Sequence, residues 1–190
     1  MPLRRRNKEP IDARAQTAFA RDDGGLDYYG GAVVGARTIG ELCTDQNLRA
    51  EVHDVIARLE HDDYAEYVAR FASAGAAAAG AHWQYADLTT VLAASCRLIR
   101  PERYLEIGVR TGRSLAVAAH FAPNCALVGV DLWQPGYAGM GNPGSEFVMQ
   151  QLARLGAADR VELISGDSRE VVPQLFREQP SLAFDVVTVD

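Results

Sequence analysis

Hydrophobic positions recur at helical spacing through the first half of the chain, after a polar and glycine-rich start. Residues 1–43 show weak periodicity and carry turn signals at 22–25, so we expect a loose and partly disordered arm there. From Thr44, apolar residues recur every three and four positions, as on one face of a helix. These positions are Leu48, Val52, Val55, Ile56 and Leu59.

Two more helices are predicted before residue 100. Asp62 or Asp63 can cap a helix with an apolar face. The alanine- and glycine-rich segment 73–81 is expected to be a linker or a frayed helix end. A third helix is predicted over 82–99, and Pro101 stops it because proline has no backbone N–H to donate.

The hydrophobic pattern changes at Arg103, and from there short apolar runs alternate with helical segments. The predicted strands span 104–107, 126–130, 161–164 and 184–189. The predicted helices between them span 114–121, 145–155 and 169–177. Continuous apolar strands are typical of a parallel sheet covered on both faces. The pattern therefore predicts an α/β fold with a doubly wound, parallel, Rossmann-like sheet.

The pattern divides the chain into three parts. We expect a loose N-terminal arm over 1–43, a helical extension or lid over 44–100, and the Rossmann-like domain over 101–190. The sequence ends at Asp190, directly after an apolar strand that would form an open sheet edge, and natural domains avoid such edges. We therefore expect the N-terminal part of a longer protein, with later strands missing. A natural four-stranded domain is the alternative.

Composition narrows the classes of protein that this chain can represent. Hydrophobic residues make up 48% of the sequence, which excludes wholesale disorder. The net charge of −6 argues against nucleic-acid binding, which needs a basic surface. There is no apolar run of about 18 residues to span a membrane, and no secretory signal. Cys43, Cys96 and Cys125 lack the spacing of a disulfide framework or zinc site, so we expect a cytoplasmic location.

An acidic residue stands at or just after the end of every predicted strand. These residues are Glu106, Asp131, Asp167 and Asp190. Ligands of parallel α/β sheets bind at the carboxyl ends of the strands. The regular placement therefore predicts a binding site along this edge of the sheet.

The first loop carries the most information about the ligand. Gly108 and Gly112 allow a sharp turn and a close approach to a ligand, and the helix that follows offers free amides to a negative group. Glu106 would repel a diphosphate but would pair with an ammonium group. The spacing Glu-x-Gly-x-x-x-Gly-x-Ser, which ends at Ser114, departs from the dinucleotide pattern Gly-x-Gly-x-x-Gly. The loop thus suits a ligand with an amino group and a carboxylate.

The second and third strand ends add a nucleoside to this ligand. Asp131 can accept hydrogen bonds from ribose hydroxyls, a geometry that serves NAD equally well. Asp167 and Ser168 can reach a base, with Asp167 accepting from an exocyclic amine. An amino acid, a ribose and a base in this order describe S-adenosylmethionine.

Four motifs in order carry a resemblance to a known family. Tyr104–Gly108 resembles the first motif of class I S-adenosylmethionine-dependent methyltransferases, and Val130–Asp131 the acidic second motif. Ser165–Ser168 resembles the third motif and Phe184–Asp190 the fourth. The runs Leu-Glu-Ile-Gly-Val and Gly-Arg-Ser are similar to those of the small-molecule methyltransferase group. The family's strand order, 3-2-1-4-5-7-6, implies the order 3-2-1-4 for the strands in this chain.

The resemblance implies methyl transfer to a small-molecule acceptor at a hydroxyl oxygen. Asp190 stands where the family places a residue near the methyl donor, which makes it the candidate catalytic residue. In metal-dependent relatives this aspartate binds magnesium, so Asp190 is also the candidate ligand of a possible Mg²⁺.

Two alternatives and one further partner remain open. The chain could be an NAD- or nucleotide-sugar-binding Rossmann enzyme, although Glu106 argues against it, or a truncated and inactive methyltransferase fragment. The exposed fourth strand could pair between chains, so a homo-oligomer is also a prediction.

Overall fold

The structure, a computed structural model, describes residues 17–20, 26–29, 39–60, 62–83, 85–136 and 141–190. The chain divides into two compact units, Met1–Leu42 and Cys43–Asp190. In the first unit, β1 (Thr17–Ala20) pairs antiparallel with β2 (Leu26–Tyr29). The predicted loose arm, 1–43, thus contains a hairpin and ends in a helical segment from residue 39, and the rest of that prediction falls on residues outside the described ranges.

Helices come first in the second unit, and strands and helices alternate after them. The helices are α1 (Gln46–Ala57), α2 (Asp63–Ala79), α3 (Leu88–Ile99), α4 (Arg113–Phe121), α5 (Ser145–Arg154) and α6 (Ser168–Glu178). The strands are β3 (Arg103–Ile107), β4 (Ala126–Asp131), β5 (Val161–Ser165) and β6 (Val186–Val189). Residues 39–44 are also helical, and short 3-10 turns lie at Gly80–His82 and Ala158–Arg160.

The four strands from β3 to β6 form one parallel sheet. Their order is β5-β4-β3-β6, which is the predicted order 3-2-1-4, and helices lie on both sides. Glu106 in β3 pairs with Gly129 in β4 and with Thr188 in β6. The prediction of a doubly wound Rossmann-like sheet is confirmed. All four carboxyl ends, and the loops after them, therefore meet at one edge of the sheet.

The core of this unit lies between the central strands and α4. Tyr104, Leu105 and Leu127 are almost fully buried, and so are Leu115 and Val117 of α4. The edge strand β6 differs, because Val187 and Val189 are 51% and 72% exposed. The expectation that both faces of the sheet are covered thus holds for β3 and not for β6. Among the described strands, β6 pairs with β3 alone and forms an edge of the sheet.

The alanine-rich segment is a helix, and its prediction as a linker or a frayed end was wrong. Helix α2 continues to Ala79 because alanine has the highest helix propensity. Gly75 also fits this helix against an aromatic ring. A Cβ at Gly75 would lie 2.1 Å from Cζ2 of Trp83, so only glycine leaves room for the indole.

The third helix starts later than predicted, at Leu88 instead of residue 82. Asp87 caps it, since its side chain accepts a hydrogen bond from the amide of Thr90 at 2.9 Å. The Thr90 hydroxyl in turn accepts from the Asp87 amide at 2.8 Å. This reciprocal capping box fixes the first turn, and His82, where the helix was predicted to start, belongs to a separate 3-10 turn, Gly80–His82.

We expect Gly75→Ala to destabilise the protein by roughly 1–2 kcal/mol. Alanine gains about 1 kcal/mol of helix propensity over glycine, but the clash with the Trp83 ring costs more, as overpacking does in cores. Urea unfolding at constant slope measures the difference. In a Trp83→Leu background the same change should become stabilising. A Gly75→Ala protein more stable than the wild type would contradict the close packing.

No helix in the described ranges is long and apolar enough to cross a membrane. Cys43, Cys96 and Cys125 are free and buried, and burial raises the pKa of the Cys96 thiol to about 12. Cys96 and Cys125 thus act as small buried hydrophobes, as predicted.

Candidate functional site

Two cavities meet at the carboxyl edge of the sheet. The sheet-edge cavity has a volume of about 540 Å³ and is lined by Ile107, Gly108, Arg110, Val130, Asp131, Leu132, Gln134, Gly141, Asn142, Gly166, Asp167, Ser168, Arg169 and Asp190. The helix-side cavity, of about 520 Å³, is lined by His53, Ile56, Ala57, Tyr64, Ala65, Val68, Ala69, Tyr85, Asp87, Leu88, Thr89, Gly108, Val109, Arg110, Thr111, Arg113, Ser114 and Asp190. Both volumes are typical of small-molecule sites. Gly108, Arg110 and Asp190 belong to both walls.

The two predicted glycines shape the loop between β3 and α4. Gly108 has a φ of +88°, and a Cβ there would lie 2.8 Å from the main-chain oxygen of Asp190. Gly112 has a φ of +76° and caps α4, and a Cβ there would lie 2.6 Å from Cγ1 of Val148. Both positions therefore require glycine, for backbone conformation and for close packing within the chain.

Asp131 holds this loop with its carboxylate. Oδ2 accepts hydrogen bonds from the amides of Val109 and Arg110, at 2.7 and 2.8 Å. Oδ1 accepts from the amide of Trp133 at 2.6 Å and from Nδ2 of Asn142 at 3.0 Å. Asp131 lines the sheet-edge cavity as predicted, but each oxygen already accepts two bonds. A bound ribose would have to share Oδ1 or replace the Asn142 amide.

Glu106 lies beneath the loop and lines neither cavity. Its residue surface is 2% exposed, and its oxygens accept from the hydroxyls of Tyr104 at 2.7 Å and Ser114 at 2.5 Å. Burial raises the pKa of Glu106 to about 7, against the lowering effect of these hydrogen bonds. The contact between Glu106 and a ligand ammonium stays a prediction, and in this structure the strand turns the carboxylate toward Tyr104 and Ser114.

The network around Glu106 includes residues that the sequence did not single out. The Tyr104 hydroxyl lies 2.6 Å from Oγ1 of Thr188, which connects β3 to β6. Ser114, predicted to contact the cofactor, lines the helix-side cavity and also donates to Glu106. Tyr104 and Thr188 read as ordinary strand residues. Their shared face with Glu106 could have been found from strand alternation and the strand order.

Asp167 and Ser168 lie where predicted, at the start of α6. Asp167 caps this helix by accepting from the amide of Arg169 at 2.9 Å. The Arg169 guanidinium binds the same carboxylate, and these bonds lower the pKa of Asp167 to about 2. Both predicted residues line the sheet-edge cavity, and Arg169 is an addition that sequence reasoning missed.

Part of the chain matches a known protein family. Residues 105–190 match the family model described as a methyltransferase domain. The segment is therefore similar to methyltransferase domains, and we call residues 105–190 the methyltransferase domain. It contains three of the four motif regions whole, the first motif from Leu105 onward, and the whole loop between β3 and α4.

Solved structures resemble the chain more distantly. The O-methyltransferase TomG from Streptomyces achromogenes is 26% identical, with 70% of this chain and 55% of that chain covered and a TM-score of 0.45. An O-methyltransferase from Bacillus cereus is 21% identical, with 69% and 55% covered and a TM-score of 0.45. The methyltransferase PaMTH1 from Podospora anserina is 17% identical, with 77% and 58% covered and a TM-score of 0.44. The chain thus spans little more than half the length of these structures. No curated protein matches the chain.

Asp190 of the methyltransferase domain lies at the junction of the two cavities. Its amide donates to the carbonyl of Ile107 at 2.9 Å, which continues the β6–β3 ladder to the edge of the sheet. No group of three His, Cys, Asp or Glu side chains within the described ranges could hold a metal ion. These residues therefore do not fit the magnesium ion that the family resemblance implied for Asp190.

Arg110 connects the methyltransferase domain to the helices before it. Its guanidinium pairs with Asp62 at 2.6 Å, and Asp62 also caps α2. The same guanidinium donates to the carbonyl of Gly141 at 3.1 Å and lies 5.8 Å from the ring centre of Tyr64. One side chain of the loop thus contacts both α2 and the segment that covers Asp131.

Two tyrosines, Tyr64 and Tyr85, line the helix-side cavity. The Arg113 guanidinium lies 4.8 Å from the ring centre of Tyr64. Tyr85 stacks on Trp83 with a centroid distance of 5.7 Å. Burial and then the Asp87 carboxylate raise the pKa of Tyr85, while the nearby charge of Arg113 acts in the opposite direction. Arg113 therefore faces both tyrosines of this cavity.

Proposed function

We propose that the methyltransferase domain binds S-adenosylmethionine in the sheet-edge cavity and transfers its methyl group to a hydroxyl oxygen of a small molecule. The observation that carries the proposal is the pair of adjoining cavities that share Gly108 and Asp190. One cavity can hold a nucleoside donor while the other holds an acceptor. Two ligands placed on either side of this junction would have their reacting atoms close together.

The residues of the sheet-edge cavity fit the parts of the donor. Asp131 and Asn142 offer an acceptor and an amide donor suited to ribose hydroxyls. Asp167 and Ser168 stand at the next strand end, where they can meet the polar edge of a base. Leu132, which is 50% exposed, gives this cavity an apolar surface for a ring.

S-Adenosylmethionine supplies a methyl group whose carbon is activated by the attached sulfonium. The chain has to align donor and acceptor and to exclude water, and alignment alone can supply much of the rate. In this proposal Asp190 accepts the proton of the acceptor hydroxyl, because among the described residues it is the one acidic residue that lines both cavities. Asp131 keeps the loop in place through the amides of Val109 and Arg110.

We expect the chain to bind S-adenosylhomocysteine in a calorimetric titration, and not NAD. Leu132→Ala should weaken this binding roughly tenfold, because it removes apolar contact with the base. Leu98→Ala is a matched control, since Leu98 is 42% exposed and lies outside both cavities. It should leave the affinity unchanged.

Two results would contradict this assignment. A folded chain that binds NAD and not S-adenosylhomocysteine would favour the alternative of an NAD-binding Rossmann enzyme. Equal weakening by Leu132→Ala and Leu98→Ala would remove the sheet-edge cavity as the place of binding. Circular dichroism of each variant shows whether it is folded before its affinity is compared.

A further inference from the structure

The helix-side cavity has a chemistry of its own that identifies a class of ligand. Its helical wall is apolar and built partly from small side chains, with Ile56, Ala65, Val68 and Ala69. The hydroxyl-bearing rings of Tyr64 and Tyr85 belong to the same cavity. Small side chains beside aromatic rings leave room for a flat, apolar group, and aromatic rings pack well in such a place.

One cation of this cavity is available to a ligand. The Arg110 guanidinium is already paired with Asp62 and with the Gly141 carbonyl. Arg113 instead lies over the Tyr64 ring, and among the described residues it forms no hydrogen bond or ion pair. A guanidinium held on an aromatic ring keeps its N–H groups free for a carboxylate, which it can bind through two parallel hydrogen bonds.

The acidic groups of the cavity lie at other places. Asp87 is occupied as the cap of α3, where it accepts from the amide and the hydroxyl of Thr90. Asp190 stands at the junction with the sheet-edge cavity. The cavity therefore has a cation on the tyrosine side and a carboxylate on the donor side.

We propose that the helix-side cavity binds the methyl acceptor and that this acceptor is an aromatic hydroxy acid. Its ring lies against the apolar side chains of α1 and α2 and the rings of Tyr64 and Tyr85, its carboxylate pairs with Arg113, and its hydroxyl points to Asp190. The inference rests on the proposed function and adds the substrate class to it. In the reaction the hydroxyl oxygen forms a bond to the methyl carbon as the carbon–sulfur bond breaks. The sulfur keeps that electron pair and becomes a neutral thioether, and Asp190 takes the proton.

The test uses the chain saturated with S-adenosylhomocysteine, whose binding is measured first. A series of (4-hydroxyphenyl)alkanoic acids with linkers of one to three carbons is then titrated, each beside its neutral primary amide. We expect at least one acid to bind about tenfold more tightly than its amide, because of the charge-assisted pair with Arg113. Tyr64→Leu should weaken the acid and the amide alike.

Arg113→Met separates the acceptor carboxylate from the carboxylate of the donor. We expect this variant to lose the preference for the acid while its affinity for S-adenosylhomocysteine stays unchanged. Arg177→Met, at an exposed position on α6, is the matched control and should keep the preference.

Three outcomes would overturn the inference. These are no binding of any member of the series to the S-adenosylhomocysteine complex, a preference for the acid that survives Arg113→Met, and a loss of S-adenosylhomocysteine affinity in Arg113→Met. The last would show that Arg113 serves the methionine carboxylate instead. Failure of the wild type to bind S-adenosylhomocysteine at all would contradict the proposed function itself, so the two failures are distinguishable.

Discussion

Asp131→Ala should lower the free energy of unfolding by roughly 2–4 kcal/mol and weaken S-adenosylhomocysteine binding by about a hundredfold or more. The carboxylate accepts four hydrogen bonds, three of them from backbone amides. Truncation leaves these amides without their charged acceptor and releases the loop that carries Gly108. Urea unfolding and calorimetric titration measure the two effects.

Asp131→Asn distinguishes the role of the charge from that of the shape. An asparagine in the same place keeps one oxygen acceptor, but its amino group must face either the Trp133 amide or the paired amides of Val109 and Arg110. Two donors then meet, so we expect Asn to be almost as damaging as Ala. Asp159→Ala, at an exposed position, is the matched control and should change stability by less than about 0.5 kcal/mol. Stability close to wild type in both Asp131 variants would contradict the role of Asp131 in holding the loop.

Glu106→Gln should remove a large pH dependence of stability. Burial raises the pKa of Glu106 in the folded chain to about 7, whereas the ordinary pKa of a glutamate carboxyl, which applies to the unfolded chain, is 4.5. Between these values the folded chain binds a proton that the unfolded chain does not. The contribution of protonated Glu106 to the free energy of unfolding is fully present below pH 4.5 and is lost as the pH rises through about 7. The total loss is about 3 kcal/mol.

Glutamine keeps the shape of the protonated acid and cannot ionise. We therefore expect Glu106→Gln to be more stable than the wild type at pH 8 and equally stable near pH 4.5, by urea unfolding at a series of pH values. Glu162→Gln, which changes an exposed glutamate on β5, should retain the wild-type profile. Parallel profiles for Glu106→Gln and the wild type would show that Glu106 is ionised in the fold at neutral pH.

The sequence predicted the sheet well because each central strand is a continuous apolar run. It placed β3, β4 and β5 within one residue of their observed bounds. It began β6 two residues too early, because the Asp185 carboxylate accepts hydrogen bonds from the amides of Glu102 and Arg103 and forms a clip before the strand. Such a contact joins residues more than eighty positions apart, and no local pattern reports it.

The sequence indicated which residues stand at the carboxyl edge of the sheet, but it did not indicate their hydrogen-bond partners. The sequence places acidic residues at the carboxyl ends of the strands, since topology alone brings these ends together. It cannot show that the Asp131 carboxylate accepts hydrogen bonds from backbone amides, or that the Glu106 carboxylate points inward and accepts one from Tyr104. These outcomes depend on side-chain direction and on the path of the loop. The alanine-rich segment was mispredicted for a related reason, because the Trp83 ring that Gly75 accommodates lies beyond the segment itself.

A Cβ at Gly108 would lie 2.8 Å from the main-chain oxygen of Asp190, so the loop between β3 and α4 packs directly against the residue that we propose as the base. A residue larger than glycine at 108 must move the end of β6 as well as the loop. Steady-state kinetics of such an enzyme would then show a raised KM for the donor and a lowered kcat together. A substitution at Gly108 therefore cannot change donor binding without also changing the position of Asp190.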